Sequence, residues 1–96
     1  MDEAAVRNRA QEHADATVAG DLKVAGSTLD KSAYGAAGEV MKQMPQNLSA
    51  CEIVETRQDG DDYVVAIRYQ GDGSATVESR WAERDGAPKI VDLKVR

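Results

Sequence analysis

Phenylalanine is absent from this 96-residue chain, and tryptophan, histidine and cysteine occur once each, as Trp81, His13 and Cys51. Each scarcity excludes something. A single cysteine cannot form an internal disulfide, so the fold must hold without a covalent staple, as is usual in reducing compartments. One cysteine and one histidine cannot supply a zinc ligand set, and neither a metal nor a cofactor is expected. No apolar run approaches the roughly 18 residues that a membrane-crossing helix needs. Clusters of Lys and Arg are missing too, and the formal net charge is −5. An acidic chain repels phosphate backbones and anionic lipid surfaces, so no nucleic acid and no membrane is expected as a partner. The opening Met-Asp-Glu-Ala-Ala lacks the basic-then-apolar pattern of a secretory signal, and a cytoplasmic location is expected.

What remains for a core is Ala, Val, Ile, Leu and Met, with three tyrosines and the one tryptophan. Small side chains let helices sit close to a sheet. The length suits a single domain, residues 1–96, and a chain this short buries only about 60 to 65 % of its unfolded surface. Helical spacing comes first. Val6, Ala10, Ala14, Thr17 and Val18, with His13 beside them, mark one face of a helix over 2–19 that Gly20 stops. Asp21 is a cap for a short helical turn over 21–25 that ends at Gly26. Asp30 caps a third helix, to residue 43, with Ala33, Ala37, Val40, Met41 and Met44 on its apolar face; Pro45 ends it. Gly35 and Gly38 each cost this helix up to about 1 kcal/mol against Ala. Either the helix is weak or the glycines permit a close backbone approach.

After residue 49 the hydrophobic period changes to two, and four strands are readable, at about 49–57, 62–70, 74–83 and 88–95. Asp59-Gly60, Asp72-Gly73 and Asp85-Gly86 separate them at equal spacing, which describes an antiparallel meander. Register follows from burial, because a slip of one residue reverses every side chain. Three-residue loops at 58–60, 71–73 and 84–86 place Ile67 opposite Val77, Tyr69 opposite Ala75, Tyr63 opposite Trp81 and Ser79 opposite Val91. Type I turns with a glycine bulge suit such loops. One face then carries Cys51, Ile53, Tyr63, Val65, Ile67, Tyr69, Val77, Trp81, Val91, Leu93 and Val95, and the helices should pack there. The other face is charged, interrupted by Val54, Val64, Ala66 and Ile90, which suggests either ordinary surface or a dimer contact. The fold class is therefore α+β.

Three stretches narrow the fold. The first helix ends in Thr17-Val18-Ala19-Gly20-Asp21-Leu22, the third closes on Met41-Lys42-Gln43-Met44-Pro45, and the last hairpin reads from Arg80-Trp81 through Asp85-Gly86 to Ile90-Val91. Together they resemble the nuclear transport factor 2-like superfamily, the cystatin-like, cone-shaped fold that includes ketosteroid isomerases and polyketide cyclases. The resemblance implies a pocket between sheet and helices, and frequently a dimer. This chain is short for the pattern and lacks a clear strand between its first helices and its third, so a small cavity is implied. The isomerases' oxyanion donors and base do not map onto this sequence residue by residue, and fold alone does not establish function.

Six residues could line such a pocket: His13, Tyr34, Glu55, Tyr63, Tyr69 and Trp81. His13 suits acid–base work near neutral pH, or is a boundary histidine bonded to a backbone group. Glu55 falls on the apolar face in this register, where a raised pKa would make it a base, or else it sits solvated at the rim. The aromatics offer polar tips to a ligand or simply pack the core. Ser79 points inward with no triad spacing around it, and Cys51 reads as a small apolar residue. Asp59, Asp61 and Asp62 lack the alternation of a calcium loop. No catalytic motif stands out. The expectations are a homodimeric binding or interaction module with a small, mostly apolar pocket and an apolar ligand; or a small lyase, isomerase or cyclase with Glu55 or His13 as base and a tyrosine steadying an oxyanion; or a structural protein–protein interaction subunit.

Overall fold

A computed structural model describes residues 1–96. The first helix, α1 (Glu3–Ala19), is capped by Asp2, whose carboxylate accepts the Ala5 N–H at 2.8 Å. It ends at Gly20, which takes the left-handed conformation (φ 75°) that a helix C-terminus favours in glycine. Asp21 caps α2 (Leu22–Ser27), accepting the Val24 N–H at 3.2 Å. This helix passes through Gly26 and ends against Thr28, beyond the stop that the sequence suggested. Asp30 caps a single 3-10 turn, Lys31–Ala33, which runs on into α3 (Tyr34–Gln43). Pro45 then holds Met44 in an extended conformation, ending the helix as expected (ψ 143°).

The second half is an antiparallel meander, β1 (Ala50–Asp59), β2 (Asp62–Gln70), β3 (Ser74–Arg84) and β4 (Ala87–Val95), in the order β1-β2-β3-β4. The middle pairing has the expected register, with Ile67 opposite Val77, Tyr69 opposite Ala75 and Tyr63 opposite Trp81. The outer pairings differ. Both outer hairpins turn in two residues, Gly60-Asp61 and Asp85-Gly86, between the pairs Asp59–Asp62 and Arg84–Ala87. Asp85 and Gly86 both have positive φ (54° and 78°), the requirement of a type I′ turn. The residue saved at each turn is restored further along as a bulge, at Val54 in β1 and Val91 in β4. Ser79 consequently faces Leu93, not Val91.

Each bulge reverses the strand between itself and the turn. Ile90 comes to lie opposite Trp81 and is fully buried in the core, a correction to its assignment to the outer face. Glu55 moves the other way, pairing with Ala66 on the outer face. That face is held by ion pairs: Glu52 with Arg68 (2.6 Å), Glu55 with Arg96 (2.6 Å) and Arg57 (3.2 Å), Glu78 with Arg96 and Lys94, and Arg80 with both Asp59 and Asp62. The outer-face Val64 and Ala66 are buried, so of the four apolar interruptions expected there only Val54 is exposed.

The core lies between the sheet and the helices. Val6, Ala10 and Ala14 of α1, Ala33 and Val40 meet Val65, Ile67, Tyr69, Val77, Trp81, Ile90 and Leu93. Alanines on the helix side allow the close approach that the composition suggested. Helix α1 lies over β1 and β2, whereas α3 lies over β4. Between the first two helices and α3, Leu29 bridges Ile90 in parallel: the Ile90 N–H donates to Thr28 O and the Asp30 N–H to Ile90 O, both at 2.8 Å. This one-residue bridge stands where the sequence showed no strand. The connection from α3 to β1 is clamped to the β2–β3 turn, with Asp72 N–H donating to Gln46 O and Asn47 Nδ2 to Asp72 Oδ2, each at 2.8 Å. No helix is long and apolar enough to cross a membrane.

Candidate functional site

Because α1 and α3 rest on different strands, a gap remains between them, with the sheet as its floor. It forms a cleft of about 510 Å³, within the size range of small-molecule sites. Tyr69, Val77 and Leu93 supply the floor, His13 and Thr17 one wall, and Ala37, Gly38 and Val40 the other, with Leu29, Met44 and Leu48 closing it in. A Cβ built on Gly35 or Gly38 would meet nothing within 4 Å, so neither glycine serves a close backbone approach. Gly38 instead leaves space in the cleft wall. Leu22 and Met41 also line it while remaining 67 % and 57 % exposed, so the mouth has an apolar rim. Met41 thus leaves the packed face that the helical spacing assigned to it.

The polar groups in this lining are few, and His13 is the most constrained. The residue is 8 % exposed. Nδ1 lies 2.8 Å from Thr28 Oγ1 and 3.3 Å from Ala25 O. The Thr28 hydroxyl itself donates to Ala25 O at 2.7 Å. A carbonyl only accepts, and the threonine proton is already committed, so Nδ1 carries the hydrogen of the neutral ring. Nε2 is left as an acceptor. It has no hydrogen-bond partner in the protein, yet no fully enclosed side-chain nitrogen or oxygen lacks one, so Nε2 reaches accessible space. Burial pushes the His13 pKa below its ordinary value, against the smaller opposing effect of the Ala25 carbonyl. The ring is therefore neutral at pH 7. Trp81 stands edge-on to it, with ring centroids 6.4 Å apart.

Tyr69 is 2 % exposed, and burial raises its phenol far above the ordinary range, with the Thr17 hydroxyl beside it acting in the opposite direction. It remains a neutral hydroxyl. Thr17 donates its own proton to His13 O at 2.8 Å, a back-bond within α1.

Of the six expected pocket residues, the cleft brings together His13 and Tyr69. Trp81 is fully buried beside His13 and outside the lining, and its indole N–H donates to Ser79 Oγ at 2.9 Å, which donates in turn to Val65 O at 2.9 Å. That chain is closed and leaves no donor for a ligand. Tyr63 is buried beside Trp81, away from the cleft. Tyr34, at the start of α3, is 57 % exposed and outside the lining. Glu55 is on the opposite side of the sheet, where the Arg96 guanidinium holds its carboxyl below the usual range. Thr28 is fully buried and fixes the His13 tautomer, a role that sequence reading missed. A polar residue directly after a predicted helix stop was the available signal. Cys51 is a free thiol whose Sγ lies 3.5 Å from Asp15 Oδ1, and burial raises its pKa. No group of three or more His, Cys, Asp or Glu side chains is placed to hold a metal ion.

No protein-family model matches the chain, and no curated protein matches it by sequence. Solved structures do match. An NTF-2-like protein of unknown function from Burkholderia xenovorans LB400 superposes with a TM-score of 0.63 at 19 % identity, covering 97 % of this chain and 84 % of that one. A de novo designed protein with a curved β-sheet aligns over 62 % of this chain and 52 % of its own, at 20 % identity and a TM-score of 0.42. At such identities the first likeness bears on fold alone. Helices packed on one face of a four-stranded antiparallel meander, superposable over nearly the whole chain on an NTF-2-like protein, give the chain an NTF2-like fold.

Proposed function

We propose that residues 1–96 act as one small binding domain, cytoplasmic and homodimeric, that takes a small and mainly apolar molecule into the cleft between α1, α3 and the sheet. The observation that carries this is the cleft itself: about 510 Å³ with a largely aliphatic lining and few polar groups. Water gains little from such walls, whereas an apolar ligand gains the burial of its surface. Self-association draws its support from Leu22 and Met41, exposed at the mouth, which a second copy would cover. The ion-paired outer face of the sheet offers it little, with Val54 alone exposed among the expected apolar positions. An isomerase or lyase reading is weakened because Glu55 is on that outer face, which leaves only His13 of the two expected bases in the cleft.

Native mass spectrometry of protein purified without denaturant tests the proposal. A dimer with added mass that is lost on denaturation supports both parts. A monomer carrying such mass keeps the binding role and removes the dimer. Protein that stays bare, also after incubation with a mixture of small apolar compounds, overturns the binding role and favours a structural subunit.

A further inference from the structure

The cleft is not uniformly greasy, and its polar content has a direction. Thr28 Oγ1 and Ala25 O both face Nδ1 of His13, so the ring hydrogen is fixed on that side. Thr28 cannot turn its hydroxyl to donate to the ring without abandoning Ala25 O. Nε2, the opposite ring atom, is accessible, lacks a partner and belongs to a side chain that lines the cleft. Water can reach this acceptor when no ligand fills the cleft, but a ligand that excludes that water must either donate to Nε2 or leave it unpaired at a cost. Resting on the binding role proposed above, we infer that His13 Nε2 is a specificity-determining acceptor, and that the cleft selects apolar molecules bearing one hydroxyl or N–H donor over their donorless analogues. An anionic group set against Nε2 itself meets a bare lone pair, whereas Lys42, also in the lining, is the one cation there. A hydrocarbon of the same shape leaves Nε2 unsatisfied and displaces the water that could reach it.

One histidine and one tryptophan make the test unambiguous, because the imidazole nitrogen and indole signals need no assignment. The probes are 1-naphthol, its methyl ether and naphthalene, titrated into the intact wild-type protein and followed by imidazole ¹⁵N NMR and Trp81 fluorescence. The expected result is that naphthol binds about threefold to tenfold more tightly than the ether, the equivalent of one net hydrogen bond. The Nε2 resonance should move upfield as it accepts that bond, with Nδ1 little changed. In His13→Phe the preference for naphthol should vanish while the ether still binds. Should that variant fail to fold, Thr28→Val, which frees the tautomer, should reduce the preference instead. Equal binding of all three probes with an unmoved Nε2 resonance overturns the donor preference and leaves the binding role intact. If none of them binds at millimolar concentration, the preference and the apolar binding role fall together.

Discussion

Gly71 should be the least replaceable glycine in the chain, and the reason is steric, not conformational. Its φ is not positive, so alanine could adopt the backbone without strain. A Cβ there would stand 2.8 Å from Asn47 O and 2.9 Å from Asn47 C, and closer still to Gln46 O. All three are main-chain atoms and cannot swing aside as a side chain would. Relief requires the 45–48 segment to lift from the β2–β3 turn. The bonds at risk are Asp72 N–H to Gln46 O and Asn47 Nδ2 to Asp72 Oδ2. Two net hydrogen bonds amount to about 1–3 kcal/mol. The lower chain entropy of alanine in the unfolded state gives back about 0.4–1 kcal/mol. Gly71→Ala should therefore cost about 1.3 kcal/mol. For a chain of this size that lowers Tm by about 5–10 °C. Thermal melts followed by circular dichroism, together with urea unfolding, give the number. Gly35→Ala is the internal comparison, because its Cβ meets nothing and it lies in α3. It should stabilise by up to about 1 kcal/mol. If Gly71→Ala melts within about 2 °C of the wild type, the clamp is not rigid and the argument fails.

Three further outcomes are expected. Ser79→Ala strands the buried Trp81 indole N–H and should cost about 1–3 kcal/mol, most of which a Ser79→Ala/Trp81→Phe double-mutant cycle should assign to coupling between the two. His13 has a folded pKa below its unfolded value of about 6.5, so the unfolded chain takes up the proton first. Its contribution makes stability fall as pH drops through 6.5 towards the folded pKa and adds no slope above it; an imidazole that titrates at or above 6.5 by NMR in the folded protein would contradict this. Glu55→Ala should leave probe binding in the cleft unchanged, because its carboxylate is on the other face of the sheet with Arg96 and Arg57. A loss of binding in calorimetry would place Glu55 in the site after all.

The fold was legible where sequence period and structure share one cause. Asp21 and Asp30 announced two helical starts, and the Asp-Gly pairs announced three hairpins. Burial parity also fixed β2 against β3. It failed for part of β1 and β4 for a definable reason. A three-residue loop, and a two-residue loop followed by a bulge, each insert one extra residue. Beyond the bulge they are indistinguishable by parity, so Cys51, Ile53, Leu93 and Val95 face the helices under either reading. Between turn and bulge they are opposite, and Glu55 and Ile90 are the residues caught there. The site was less legible still. Helical spacing placed His13 near the apolar stripe. Its tautomer depends on Thr28, fifteen positions away, and on the Ala25 carbonyl near the end of α2. No periodicity encodes such a contact.

The two bulges have a bearing on self-assembly into fibrils. A flat sheet edge is a template on which another chain can add a strand. Here β1 is kinked at Val54 and flanked by Glu52, Glu55 and Arg57, all in ion pairs. On the opposite edge, Pro88 offers no N–H, and both main-chain groups of Ile90 are taken by Thr28 and Asp30. The run from Tyr63 to Ile67, the most apolar in the chain and the one best suited to cross-β stacking, is enclosed in the central strand β2. Native molecules therefore present no growing end. Fibril formation should follow the fraction of unfolded chain, so that Gly71→Ala accelerates it and Gly35→Ala slows it at equal protein concentration.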